Sequence, residues 1–305
     1  MQKRAERLKQ MSQELGFTAC GVAKADFLAE EAPKLENWLR QNYHGKMAYM
    51  ERYFDIRLDP RKLVEGAKSV ICLMYNYFPK KDLSSVHGFK ISKYAYGEDY
   101  HFVLKDKMKE LVTKMQIEFG NFQARIFTDS APIMERPWAQ RAGLGWQGKN
   151  SLLLSKQKGS FFFLAEIVTD LEIQPDPPFQ ADHCGECTRC IDACPTQAIV
   201  KPYVVDANKC ISYLTIELKE EIDKQFHGKM ENWIFGCDIC QDVCPWNRFA
   251  TPHCEPRFEP NEEFEKMTKQ DWMEITEEVF QRIFKKSAVK RTKISGLRRN
   301  MQANQ

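Results

Sequence analysis

CGECTRCIDACP, residues 184–195, places four cysteines within eleven positions and ends on a proline. This CxxCxxCxxxCP run suits a 4Fe-4S cubane, because three closely spaced thiolates wrap one cluster while the longer gap and the proline turn the fourth toward a neighbouring site. GCDICQDVCPWN (236–247) repeats the pattern with its first member absent, and Cys210 can supply the missing ligand. Exchanging one ligand per motif gives two complete sets: Cys184, Cys187, Cys190 and Cys244 on one cluster, and Cys194, Cys210, Cys237 and Cys240 on the other. Zinc also takes four cysteines, but its motifs usually present isolated CxxC pairs. The long stretch between Cys210 and Cys237, with the helical-looking DANKCISYLTIEL (206–218), departs from a plain two-cluster electron carrier and points to a further task.

Outward from this region, IQPDPPFQADH (173–183) holds three prolines and predicts a linker. Upstream, Ala5, Leu8, Met11 and Leu15 predict an amphipathic helix ended by Gly16, and Leu104, Met108, Leu111, Val112, Met115 and Phe119 predict a second ended by Gly120. Residues 17–22, SVICLMY (69–75), residues 125–127 and FFFLAEIVT (161–169) predict strands. Alternating helices and strands argue for a layered α/β or α+β domain. The expected division is therefore 1–175, 176–250 and 251–305. The last part has helical patterning over 272–284, with Thr268 and Asp271 placed for a capping box.

With 305 residues, 43% of them hydrophobic, the chain can bury a substantial core. The apolar stretch 161–165 stops at Glu166, far short of a membrane span, and MQKRAERLKQ is not a secretory signal, so a cytoplasmic location is expected. In a reducing compartment eleven cysteines favour metal ligation over disulfides. Cys20, Cys72 and Cys254 lie outside the cluster pattern; Cys20 and Cys72, in apolar contexts, read as buried inert thiols. Net charge is only +3, yet KKSAVKRTKISGLRR (285–299) holds seven Lys or Arg and no acid. Such a segment suits a polyanionic partner or is simply a solvated tail.

The richest segment without cysteine is TDSAPIMERPWAQRAGLGWQGKNSLLL (128–154). Gly143, Gly145 and Gly148 permit close backbone approach to a cofactor, and Lys149 and Asn150 offer donors, although a structural turn would look the same. Asp129, just past a short strand, is either a general acid, if burial raises its pKa, or a turn cap.

These residues bring a family into view. The chain resembles the epoxyqueuosine reductases through DSAPIMERPWAQRAGLGWQGKNSLLL (129–154), GSFFFLAEIVTDL (159–171), CGECTRCIDACPTQAI (184–199), CISYLTIEL (210–218) and GCDICQDVCPWN (236–247). The resemblance implies an α+β protein: a cobalamin-binding, reductive-dehalogenase-like α/β sandwich, then a ferredoxin-like domain with two 4Fe-4S clusters, then a short helical C-terminal region. It implies removal, as water, of the epoxide oxygen of epoxyqueuosine at the first anticodon position of tRNA, with electrons passing from an external low-potential donor through the clusters to cobalt. It also assigns roles. Asp129 is the proton donor, Arg57 lies near the corrin, Ser212 and Tyr213 line the face between cluster and cobalamin, and Lys149, Asn150 and Ser155 contact the cofactor's periphery. Tyr94 and Tyr96, in KYAYGEDYH (93–101), flank the substrate or serve as core aromatics. Lys285, Lys286, Lys290, Arg291, Lys293, Arg298 and Arg299 become candidate tRNA phosphate contacts. Many family members continue into a helical-repeat segment beyond this point, so the resemblance predicts lower tRNA affinity here or compensation by other surfaces. A monomer is expected. Two rival readings are a cytoplasmic dehalogenase-like cobalamin reductase and a non-catalytic ferredoxin-type carrier. The basic tail argues against the first, roughly 170 residues upstream of the clusters against the second.

Overall fold

The computed structural model describes residues 1–83 and 88–305. Strands β1 (Ala19–Lys24), β2 (Ser69–Asn76), β3 (Ala124–Phe127) and β4 (Phe162–Thr169) form an antiparallel sheet in the spatial order β1-β2-β4-β3. β2 is apolar from Val70 to Tyr75 because both of its faces are covered. Alternate side chains Ile71, Leu73 and Tyr75 pack with Leu8 and Met11 of the helix Gln2–Glu14 and with Leu104, Met108 and Leu111 of the helix Tyr100–Phe119. Val70, Cys72 and Met74 pack on the other side against Trp138 and Ala139 of the helix Glu135–Arg141.

Both long helices stand where apolar spacing predicts them, and Gly16 and Gly120 follow their ends with φ of +89° and +85°. At the other end of Tyr100–Phe119, Asp99 caps the helix by accepting from the His101 N–H. That cap fixes Tyr100 and His101 beside the end of β3.

The C-terminal region is folded, not a free tail. Helical patterning over 272–284 resolves into two helices, Lys269–Met273 and Glu277–Phe284, the first with the expected Thr268/Asp271 capping box. The interruption arises because Thr276 caps the second helix, accepting from the Val279 N–H. Trp272, Phe280, Phe284, Val289, Leu297 and Met301 share one core with Phe89, Ile91, Ile234 and Phe235. A parallel ladder between Lys90–Ile91 and Trp233–Phe235 ties the stretch between Cys210 and Cys237 into that core. Within the cysteine region, the short helices Arg189–Asp192 and Ile239–Asp242 pack together. The fold is α+β, and no described helix is long and apolar enough to cross a membrane.

Candidate active site and cluster ligands

Asp129 follows β3 in a turn at φ +56°, with its N–H donated to Glu135 Oε1 at 2.5 Å. Its Oδ2 accepts from Tyr100 Oη at 2.8 Å and lies 3.6 Å from His101 Nε2. The other ring nitrogen of His101 is 2.7 Å from Asp99 Oδ1. Burial of His101 opposes its charge, but hydrogen bonds to Asp129 and Asp99 outweigh this and push it up to about 9. For Asp129 burial acts upward, but hydrogen bonds from His101 and Tyr100 hold it below the usual carboxylate range. With 50% of its side chain exposed, those hydrogen bonds decide the direction. An acid raised by burial is therefore not what the fold builds; Asp129 is held toward its carboxylate form and His101 toward its imidazolium form.

Sequence reasoning missed His101 and Tyr100, although both end the KYAYGEDYH segment singled out for Tyr94 and Tyr96. Tyr94 packs edge-on against Tyr77, Tyr100 and Phe163, supporting Tyr100 from behind. Tyr96 belongs to the other core, where its hydroxyl accepts from the Leu83 N–H and reaches Asp82. Tyr96 is a core residue.

Arg57 is buried, donates to the Tyr49 carbonyl at 2.8 Å, and has no partner for its Nε among the described residues. Among the described residues it forms no ion pair, and burial lowers its pKa. A buried guanidinium with an unused donor needs an acceptor-rich ligand. Tyr49 stands within electrostatic reach of Arg57, Asp129 and Arg291. Arg291 itself pairs with Glu217 at 2.7 Å and is within electrostatic reach of Asp129, Tyr49 and Tyr100. This donor set fits the amide-rich periphery of a corrin, so the residues present are compatible with cobalamin.

The glycine-rich turn is scaffolding. A Cβ on Gly145 would stand 2.0 Å from the Leu154 carbonyl, so the hairpin of Trp146–Gln147 and Leu153–Leu154 closes only around glycine. Lys149 Nζ donates to the Gly185 carbonyl at 2.5 Å, and Asn150 Nδ2 to the Cys240 carbonyl at 3.3 Å. Both residues thus fasten the turn to the two cysteine motifs, where a cofactor contact was expected. Ser155 pairs through its backbone with Gly159. The Ser212 and Tyr213 amides approach the Cys210 sulfur at the start of the helix Ile211–Ile216. The Tyr213 ring, however, is core, with its hydroxyl accepting from the Lys46 N–H at 2.7 Å.

The thiols nearest Cys190 electrostatically are Cys184, Cys244 and Cys187, while Cys244 also feels Cys184 and Cys187. Cys210 feels Cys194, Cys237 feels Cys240 and Cys210, and Cys240 feels Cys210, Cys190 and Cys194. The cysteines of the two motifs and Cys210 thus stand within electrostatic reach of one another, with Cys190 and Cys240 as neighbours across the motifs. Sulfur also receives backbone donors, such as the Ala198 N–H on Cys194 at 3.2 Å. Among the described residues no three His, Cys, Asp or Glu converge on a single-ion site. A cubane asks instead for four thiolates, each facing a different iron corner, and this donor set fits it. Of the thiols outside the pattern, Cys72 is fully buried, and burial pushes Cys20 up to about 12.

The basic segment divides. Lys285, Lys286, Lys290 and Lys293 are exposed and, among the described residues, unpaired by any carboxylate. Arg298 is exposed and donates to the Ile275 carbonyl. Arg299 departs from expectation: it is buried and donates to the carbonyls of Leu214, Leu218 and Glu220, so its guanidinium is spent on the fold.

Comparison with known proteins agrees with this architecture. Residues 183–247 match the 4Fe-4S double cluster binding domain family, and residues 57–130 match the family described as epoxyqueuosine reductase QueG, DUF1730. The chain is 60% identical over 302 residues to the epoxyqueuosine reductase of Cyclobacterium marinum, covering 99% of this chain and 96% of that protein. The crystal structure of an epoxyqueuosine reductase with a tRNA-Tyr epoxyqueuosine-modified tRNA stem loop superposes with a TM-score of 0.87 at 29% identity, covering 98% of this chain and 80% of that one. A Bacillus subtilis epoxyqueuosine reductase, solved with its catalytic loop swung out of the active site, superposes with the same TM-score, identity and coverage. Carrying the double-cluster domain and 60% identical to a named reductase across nearly its whole length, the chain belongs to the epoxyqueuosine reductase family.

Proposed function

We propose that this protein reduces epoxyqueuosine to queuosine at the first anticodon position of tRNA. The reaction takes up two electrons and two protons, breaks both C–O bonds of the epoxide, forms the ring alkene and releases water. Residues 176–250 hold two 4Fe-4S clusters, one on Cys184, Cys187, Cys190 and Cys244, the other on Cys194, Cys210, Cys237 and Cys240. An external low-potential donor supplies the electrons, and the protein works as a cytoplasmic monomer. Cobalamin, held by residues 1–175 with Arg57 as a donor to it, would supply strongly reducing metal chemistry.

The chain's own residues do the rest. Arg57 would offer its Nε to the cofactor's polar periphery, and the Ser212 N–H steadies the Cys210 sulfur. Asp129 delivers a proton to the departing oxygen, which must not leave as a bare alkoxide. His101 holds that proton in the resting site and Tyr100 fixes the carboxylate's orientation. Residues 251–305 present Lys285, Lys286, Lys290, Lys293 and Arg298 to the tRNA backbone, with Arg291 within electrostatic reach of Asp129. The solved relative bearing a tRNA stem loop supports that partner.

The observation that carries this reading is the Asp129–His101–Tyr100 cluster standing in one fold with the neighbouring cysteines of two cluster motifs. Anaerobic incubation of the reconstituted protein with epoxyqueuosine-containing tRNA and a chemical reductant, followed by nucleoside analysis, tests it. Queuosine is the expected product; its absence from protein loaded with both cofactors refutes the assignment.

A further inference from the structure

Behind Asp129 lies a carboxyl pair that takes no part in the proton delivery proposed above. Glu166 sits in β4 opposite Cys72 of β2 and Phe127 of β3, and its residue exposure is 0%. Neither of its oxygens receives an N–H or O–H from a described residue; the polar group it meets is the carboxyl of Glu135. Two ionised carboxylates can only accept, so this contact becomes a hydrogen bond only when the pair carries a proton. Burial first, then the charge of Asp129, push Glu135 up; burial first, then the charge of Glu135, push Glu166 well above the carboxylate range.

The other groups around the pair do not neutralise it. Cys72, across the strand, is a thiol pushed up by burial and then by Glu166. Arg136 counters Glu135 by less than burial and Asp129 push it up, and its guanidinium donates to the Ser151 carbonyl. Tyr100, His101 and Arg291 act on Asp129, on the far side of the turn. Glu135 Oε1 in turn accepts the Asp129 N–H, at a residue whose φ of +56° is uncommon outside glycine.

We propose that Glu166 is a positioning residue for this reaction: the Glu135–Glu166 pair, sharing one proton, holds the Asp129 turn against Tyr100 and His101, and loss of that proton releases the turn. The proposal rests on the reading of Asp129 as proton donor. Without the shared proton, Asp129, Glu135 and Glu166 place three negative charges around one turn. Glu166 is anchored in a central strand, so the exposed turn is the part that yields.

The test uses the full chain loaded with clusters and cobalamin. Infrared spectra should show a protonated carboxyl at neutral pH that titrates away in alkali, and that is lost in Glu166→Gln. The wild-type single-turnover rate should fall in two alkaline steps, one from the pair and one from His101 near pH 9. Glu166→Gln, whose amide donates to Glu135 without titrating, should keep only the His101 step. Glu166→Ala should lose about 100-fold in kcat with KM within about threefold, and the Gln variant should recover most of that loss. If Glu166→Ala does not fold, the Gln variant and wild type carry the test. No carboxyl band in the wild type, or an unchanged two-step profile in Glu166→Gln, overturns the proposal. Full activity in Asp129→Asn overturns instead the donor reading beneath it, a failure the infrared band does not report.

Discussion

Replacing Asp129 with Asn is the most informative perturbation, because the structure specifies two consequences at once. A rise of His101 from 6.5 to about 9 corresponds to about 3 kcal/mol of preference for the imidazolium. Asp129 and Asp99 share it, so losing one anionic partner should remove about half, on the order of 1–2 kcal/mol, and lower the His101 pKa by about 1. Because the folded-state pKa lies above the unfolded value, the stability contributed by His101 is full below about 6.5 and fades as pH rises through about 9. In Asp129→Asn that loss should come at lower pH. Turnover should drop by about 10²–10⁴-fold, the range for a lost proton donor, with iron, sulfide and corrin content unchanged. Histidine NMR titration, thermal melts across pH and single-turnover kinetics read these effects. A His101 pKa unmoved by the substitution, or full activity, refutes the coupling.

Other residues give sharper contrasts. Arg299→Ala should destabilise the fold by about 2–4 kcal/mol, through the orphaned carbonyls of Leu214, Leu218 and Glu220, as measured by chemical denaturation; a neutral result would contradict its structural role. Lys285→Ala, Lys286→Ala and Lys290→Ala should leave stability intact yet flatten the salt dependence of tRNA binding, by about 0.7–0.9 in log–log slope for each phosphate no longer neutralised, and an unchanged slope returns the segment to a solvated surface. Cys194→Ala and Cys244→Ala should each damage a different cluster, so full iron and sulfide content in both variants would refute the exchanged ligand sets. Arg57→Met should weaken retention of corrin on gel filtration while leaving the clusters in place, and equal retention would exclude that contact.

The sequence by itself determined what depends on local pattern. Cysteine spacing announced two cubane sites, apolar periodicity announced the helices ended by Gly16 and Gly120, and continuous apolar runs announced β2 and β4. It also singled out Asp129, because a carboxyl after a short strand is a local feature. Only tertiary structure decided which charges meet. His101 lies 28 positions before Asp129, and an N-cap brings them together; Glu166 is 37 positions beyond, and sheet register sets it behind the same turn. The fold likewise sorted Arg299 from its basic neighbours, since burial follows which face of a helix meets the core and not charge density along the chain. A carboxyl's protonation depends on its spatial neighbours, and those are fixed by packing between segments far apart in sequence.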